Sequence, residues 1–199
     1  ILFIYSFLSL LFTSFEQLEI NLIIQGKGNQ NFINNDFYLE PSEIIINGKI
    51  KNSCSKSCDF DDDLNNVTIK FNKQLTSCEN MFKGLSNIIE IDLSNLDTSE
   101  VINMDSMFSG CKNLEKINFG NINTKFNTSN VLEMHDMFAY CSKITSIDVS
   151  NFDTSKVTYM GGMFYQDKNL KYIDLSNFVI SSSPYVGLMF VGCVYFLLH

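Results

Sequence analysis

The sequence contains no arginine and no tryptophan, and only two prolines and two histidines. All 14 of its basic residues are lysines, set against 22 Asp and Glu, for a formal charge of −8 over 199 residues. With no guanidinium fork to read a guanine edge and no basic field to cover phosphates, the composition argues against a nucleic-acid partner. An anionic membrane surface is an equally poor match. The two histidines are His135 and His199, the second at the terminus, so acid–base chemistry built on imidazole has almost nothing to use. What is present is apolar: 45% hydrophobic residues, with 18 Phe and 8 Met, against 18% charged. Such a chain fills a core rather than staying disordered. The balance predicts a folded, acidic binding or structural module. It does not suggest an enzyme, a cofactor or a small-molecule substrate.

Residues 1–15 open on the apolar run Ile1-Leu2-Phe3-Ile4-Tyr5-Ser6-Phe7-Leu8-Ser9-Leu10-Leu11-Phe12. Its length fits the h-region of a secretory signal and falls short of the roughly 20 residues that span a bilayer. No initiator methionine or basic n-region precedes it, which predicts a reading frame cut upstream. If uncleaved, this segment would be the chain's one membrane contact.

The pair Met-Phe recurs at Met81-Phe82, Met107-Phe108, Met137-Phe138, Met163-Phe164 and Met189-Phe190, at spacings of 26, 30, 26 and 26. Four extra residues around Thr124-Lys125-Phe126-Asn127 account for the odd spacing and predict a protruding loop. Within a unit, Val101, Met104, Met107, Phe108 and Cys111 fall on the stripe of a short amphipathic helix, as do Val131, Met134, Met137, Phe138 and Cys141. Asp97-Thr98-Ser99 and Asp153-Thr154-Ser155 stand where an N-cap hydroxyl and a first-turn carboxylate belong. Alternating segments follow, such as Leu114-x-x-Ile117-x-Phe119 and Leu170-x-x-Ile173-x-Leu175, and read as short strands with one buried face. A single unit cannot bury enough surface alone, so the units must stack. The expectation for 75–199 is an α/β, leucine-rich-repeat-like solenoid of about five units, cut at its C-terminal end, with a short strand and a short helix per repeat.

Residues 16–74 differ in composition. Leu18–Ile24, Glu43–Ile46 and Val67–Phe71 read as strands, and Gly26-Lys27-Gly28 and Asn47-Gly48 as turns, the second a hairpin signal. They predict a small β-rich N-terminal cap over the first repeat.

The string Ile147-Asp148-Val149-Ser150-Asn151-Phe152-Asp153-Thr154-Ser155-Lys156-Val157-Thr158-Tyr159-Met160-Gly161-Gly162-Met163-Phe164 closely resembles the BspA-like leucine-rich-repeat surface proteins, over about 75–199. The resemblance implies a secreted or cell-surface protein that acts by contact with proteins, glycans or matrix, in adhesion and without catalysis. A structural coat component with no specific ligand is the alternative. The chain departs from the pattern at Asp167, where a Cys or apolar residue is expected, and at 179–184.

Several residue sets are candidates for chemistry. Cys111, Cys141 and Cys193 share one phase, held by Leu85 in an earlier unit, and read as small buried hydrophobes; neighbouring helices about 8–10 Å apart would keep them from pairing. Cys58 with Cys54 or Cys78 is a candidate disulfide in a secreted chain. No metal site is expected: zinc lacks ligands, and Asp59-x-Asp61-x-Asp63 has Leu64 and Lys70 where an EF-hand needs glycine and glutamate. His135 and Cys141 do not share a helix face, so no Cys-His nucleophile is expected. The outward face of the strand ladder is the candidate binding surface. It presents Glu90, Lys116, Ser146 and Tyr172, then Asp92, Asn118, Asp148 and Asp174, then Ser94, Gly120, Ser150 and Ser176. Carboxylates stacked about 4.8 Å apart should repel unless a cation or basic partner relieves them. The sequons Asn66-Val67-Thr68 and Asn127-Thr128-Ser129 could accept glycans.

Overall fold

The computed structural model describes residues 17–121, 123–180, 185–194 and 197–198. The expected leader at 1–15 lies outside them. Alternation builds the first part of the molecule. In β1 (Leu18–Gln25), Leu18, Ile20, Leu22 and Ile24 are buried while Glu19, Asn21 and Ile23 are half-exposed. β6 (Leu64–Phe71) alternates the same way and pairs antiparallel with β1 from Leu18↔Phe71 to Gln25↔Leu64. β3 (Glu43–Ile46) joins the other edge of β6, and β4 (Lys49–Ile50) follows it through a two-residue turn. That turn is Asn47-Gly48, with φ of 50° and 77°, the backbone that a tight hairpin requires. β2 (Gly28–Asn31) and β5 (Ser57–Phe60) form a separate antiparallel pair, which sequence reading missed.

β1 also pairs antiparallel with β7 (Ile88–Asp92), the first strand of the repeats, and β7 pairs parallel with β8 (Lys116–Asn118). One six-stranded mixed sheet, in the order β4-β3-β6-β1-β7-β8, therefore runs from the N-terminal strands into the repeats. Further along, Ser146 bridges Tyr172, and β9 (Tyr172–Ile173) pairs parallel with β10 (Leu197–Leu198).

The expected α/β, leucine-rich-repeat-like solenoid is overturned: among the described residues there is no helix, and the chain is built of strands in mixed sheets joined by turns. The reason lies in where the amides go. In a helix each N–H bonds four residues back. Here they divide alternately. The N–H groups of Met104, Ser106, Phe108 and Gly110 donate to the carbonyls of Glu133, His135, Met137 and Ala139 in the next repeat, at 2.8–2.9 Å. Between them, Met107, Ser109 and Cys111 donate three residues back. The outward donors recur at Cys78, Asn80, Phe82 and Gly84, at Met134, Asp136, Phe138 and Tyr140, and at Met160, Gly162, Phe164 and Gln166. Ser106 and Gly110 have φ of 54° and 78°, as do their equivalents Asn80/Gly84, Asp136/Tyr140, Gly162/Gln166 and Leu188/Gly192 within about 15°. Two left-handed residues per unit break a right-handed helix before it completes a turn.

The predicted stripe is nonetheless buried: Val101, Met104, Met107, Phe108 and Cys111 are fully shielded from solvent. Consecutive β-turns wind these side chains inward as a helix face would. The phenyl rings of Phe82, Phe108, Phe138, Phe164 and Phe190 form a column, parallel within 13° at 5.3–5.7 Å between centroids. Each such pair contributes about 0.5–1.5 kcal/mol beyond its area.

The Asp-Thr-Ser motifs do not cap helices. Asp97, Asn127 and Asp153 each accept the N–H two residues on, closing a small turn. The buried Thr98 hydroxyl donates to the carbonyl of Asn127 and accepts its N–H, and Thr128 does the same with Asp153. The insertion does not simply protrude either. Phe126 is buried against Phe119 and Phe152, so Asn127-Thr128-Ser129 repeats the Asp97-Thr98-Ser99 geometry and the extra residues precede Phe126.

Candidate functional site

The outer face of the six-stranded sheet carries side chains in cross-strand rows. One row reads Ile45, Thr68, Asn21, Asp92, Asn118; the next reads Asn66, Ile23, Glu90, Lys116. Alternation puts these residues on one face while Leu22, Val67 and Ile91 point into the core. A groove of about 630 Å³ lies over the rows. The ladder residues Glu90, Asp92, Lys116, Asn118, Ser146 and Asp148 line it, together with Asn21, Ile23, Asn66 and Thr68 from the N-terminal strands. Ser94, Ser150, Tyr172, Asp174 and Ser176, placed on the same ladder by repeat phase, are not among its lining residues. The contribution of β1 and β6 escaped sequence reading. Its signal was present, however, in Glu19, Asn21 and Gln25, polar residues that alternate with the apolar even-numbered positions of Leu18–Gln25.

Four carboxylates and one lysine meet in the groove. Lys116 Nζ lies 2.8 Å from Glu90, and Glu115 pairs with Lys143 at 3.4 Å. The expected repulsion within the carboxylate ladder has a local answer. Asp92, Asp148 and Asp174 accept the N–H of Ser94, Ser150 and Ser176 at 2.8–3.0 Å, and Asn118 accepts that of Gly120 in the same way. Burial works against the charged form of Asp92, yet hydrogen bonds with Ser94 and Asn118 outweigh it and hold the carboxyl below its ordinary range. Asp92 thus keeps its charge inside a concave surface that Asp148 also lines. The row is also pre-set, since the Thr68 hydroxyl donates to Asn21 at 2.6 Å.

Cys54 is disulfide-bonded to Cys58, and Cys78 is a free, fully buried thiol that burial pushes up to about 12. Cys111, Cys141 and Cys193 are free as well. Helix spacing is not what keeps them apart. Each thiol donates to the carbonyl of a phenylalanine in the preceding repeat, Phe82, Phe108 and Phe164 respectively, at 3.0–3.2 Å. Asp167 stands in the same phase, fully buried. Its Oδ1 accepts the Cys141 N–H at 2.7 Å and its Oδ2 has no hydrogen-bond partner. Burial raises this carboxyl to about 8. Among the described residues, no group of three or more His, Cys, Asp or Glu is placed to hold a metal ion. Of the two sequons, Asn66 lies on β6 at the groove, and the Thr128 hydroxyl of the other is engaged with Asp153.

No curated protein and no solved structure matches this chain. A family profile matches it twice, over 50–125 and over 76–197, so the two matches overlap and together span most of the chain. The N-terminal strands β1, β2 and β3 lie before both matches. The chain belongs to the family described as Mycoplasma protein of unknown function, DUF285.

Proposed function

We propose that the protein is a non-catalytic recognition module of a secreted or surface-displayed protein, and that the groove over the mixed sheet engages a lysine- or arginine-bearing segment of a partner. The observation that carries this reading is the convergence of β1 and β6 with the repeat ladder on one concave surface holding Asp92 and Asp148. Carboxylates in a groove attract cationic groups and steer their approach. The Cys54–Cys58 disulfide favours an oxidising compartment, and the apolar run at 1–12 favours export. The likeness to BspA-like surface proteins favours contact over catalysis.

The test is binding of the protein to a panel of matrix proteins and glycans, beside the double variant Asp92→Asn/Asp148→Asn. Asparagine keeps the turn acceptor, as Asn118 demonstrates at the same phase, and removes only the charge. The expected result is saturable binding to a basic partner, weakened about tenfold or more in the folded variant. Unchanged binding would move the site off this groove.

A further inference from the structure

A second concavity shares no residue with the groove. Equivalent residues of successive repeats, Ser77, Asn103, Glu133, Tyr159 and Tyr185, are linked by parallel bridges into a column along the stack. Its composition changes abruptly. Two residues further on, the early units carry Glu79, Asp105 and His135, while the last two carry Gly161 and Gly187. Tyr185 lies across the space those glycines leave: a Cβ at Gly161 would overlap its ring, and one at Gly187 would sit 3.1 Å from its Cζ. Gly162 makes room in the same way for the Asp136 carboxylate, onto which its own Cβ would fall.

The result is a cleft of about 270 Å³. Its walls are Tyr140, Tyr165 and Tyr185, with His135 and Asp136 beside them and Gly162 in the lining. Tyr140 and Tyr165 stand edge to face, 5.3 Å apart at 81°, so the pair makes a corner rather than a flat stack. Tyr185 is fixed as a third wall by stacking on Tyr159 at 4.8 Å and 8°. Tyr140 is 46% and Tyr185 40% exposed, large aromatic area left in water beside a half-exposed carboxylate. Asp136 Oδ2 is 3.6 Å from His135 Nδ1, too long to commit it to a hydrogen bond. Further negative charge stands close by, since Asp105 accepts the His135 N–H at 2.6 Å and Glu133 is bridged to Tyr159.

Aromatic walls set at an angle, a carboxylate and a small volume together describe a cage for an organic cation. Ring faces carry negative potential and attract ammonium groups, most strongly when two or three rings surround the charge. Pockets for drug-sized ligands run from about 300 Å³ upward, so this cleft takes a head group rather than a chain. We propose that the cleft formed by Tyr140, Tyr165, Tyr185 and Asp136 binds an alkylammonium group of the choline type, either free or as a lipid head group.

The chain lacks tryptophan, so its intrinsic fluorescence reports tyrosine directly. The experiment titrates the full chain with choline, and in parallel with 3,3-dimethylbutan-1-ol, which has the same shape without the charge. Saturable quenching by choline is expected, with the neutral analogue at least tenfold weaker. Asp136→Asn should weaken choline about tenfold and Tyr140→Ala about fivefold. Asparagine tolerates the left-handed backbone of Asp136, whose φ is 53°, so the fold persists, checked by thermal melting. A second arm offers phosphatidylcholine vesicles: binding that free choline competes away identifies the lipid source, and binding of free choline alone identifies the small molecule. Equal affinity for the neutral analogue, no saturable choline binding, or full affinity in a folded Asp136→Asn variant would overturn the proposal. So would vesicle binding that choline does not displace.

Discussion

The N-terminal strands and the repeats solve the same problem, pairing backbone amides around an apolar interior, in opposite ways. In β1 and β6 the partner of each strand is set by antiparallel register, and a period of two in the sequence announces which side is buried. In the repeats, half of the amides in the Met-Phe segment bond within their own turn and half to the neighbour about 26 residues on. Order there is owed to the neighbour as much as to the local chain. The first region can specify itself locally; the second depends on having like units on either side.

Breaking the column should separate the two regions most sharply. Phe138 is fully buried between Phe108 and Phe164, and Phe138→Ala is expected to cost about 3–5 kcal/mol by chemical denaturation. Hydrogen exchange in that variant should quicken at Phe108, Phe138 and Phe164 while β1 and β6 keep their protection. Equal loss in both regions would mean that the continuous sheet welds them into one cooperative unit.

A second break is chemical. Asp167 has a folded-state value of about 8, above the roughly 3.9 of an unfolded carboxyl, because it is buried, with only the Cys141 N–H opposing. The folded chain therefore holds this proton longer than the unfolded one. The contribution of Asp167 to stability is greatest below about pH 4 and falls as pH rises toward 8, by on the order of a few kcal/mol. Asp105, raised to about 6 chiefly by burial, adds a smaller loss of the same sign between about 4 and 6. The other titratable groups facing Asp167, Cys141 and Cys193, are themselves pushed upward by burial, Cys193 to about 11. Asp167→Cys restores the residue of its phase and should flatten the decline between pH 6 and 8 in a series of melting curves. An unaltered slope would show that other groups set it.

The smallest expected effect concerns the threonine bridges. Thr128→Val keeps the shape but leaves the Asp153 N–H and carbonyl without their hydroxyl partner, a loss of about 1–3 kcal/mol. Thr68→Val, by contrast, removes a half-exposed side-chain bond to Asn21 and should cost under 1 kcal/mol, measured in the same denaturation assay. Similar costs at both positions would erase the distinction drawn between the regions.

The same contrast governs what could be read from sequence. Alternation at Leu18–Gln25 and the Asn47-Gly48 turn point to strands and a hairpin because both signals are local. The stripe Val101, Met104, Met107, Phe108 and Cys111 points to burial but not to its element, since two linked turns bury the same positions as a helix. A discriminating signal was there: Gly84, Gly110 and Gly192 share one phase, and Asn80 and Asp136 share another four residues earlier, all tolerant of left-handed backbone. The repeat half of the groove was visible in the ladder Glu90, Lys116, Asp92, Asn118. The other half, Asn21, Ile23, Asn66 and Thr68, depends on β1 lying against β7, a pairing across some 70 residues that no local pattern encodes.

The amides of Met104, Ser106, Phe108 and Gly110 all point toward the following repeat, while the amides of Leu132 and His135 return, to the Ile102 carbonyl and the Asp105 carboxylate. The same bias appears where Met134, Asp136, Phe138 and Tyr140 meet the next unit, with Thr158 returning to Leu132. Each repeat therefore has a donor side and an acceptor side that are not interchangeable. A unit turned end over end would set N–H against N–H, so the stack has polarity and admits another copy in one orientation only. Tandem duplication of 26 residues supplies copies in that orientation, which makes the number of repeats a quantity that evolution can change without redesigning any interface.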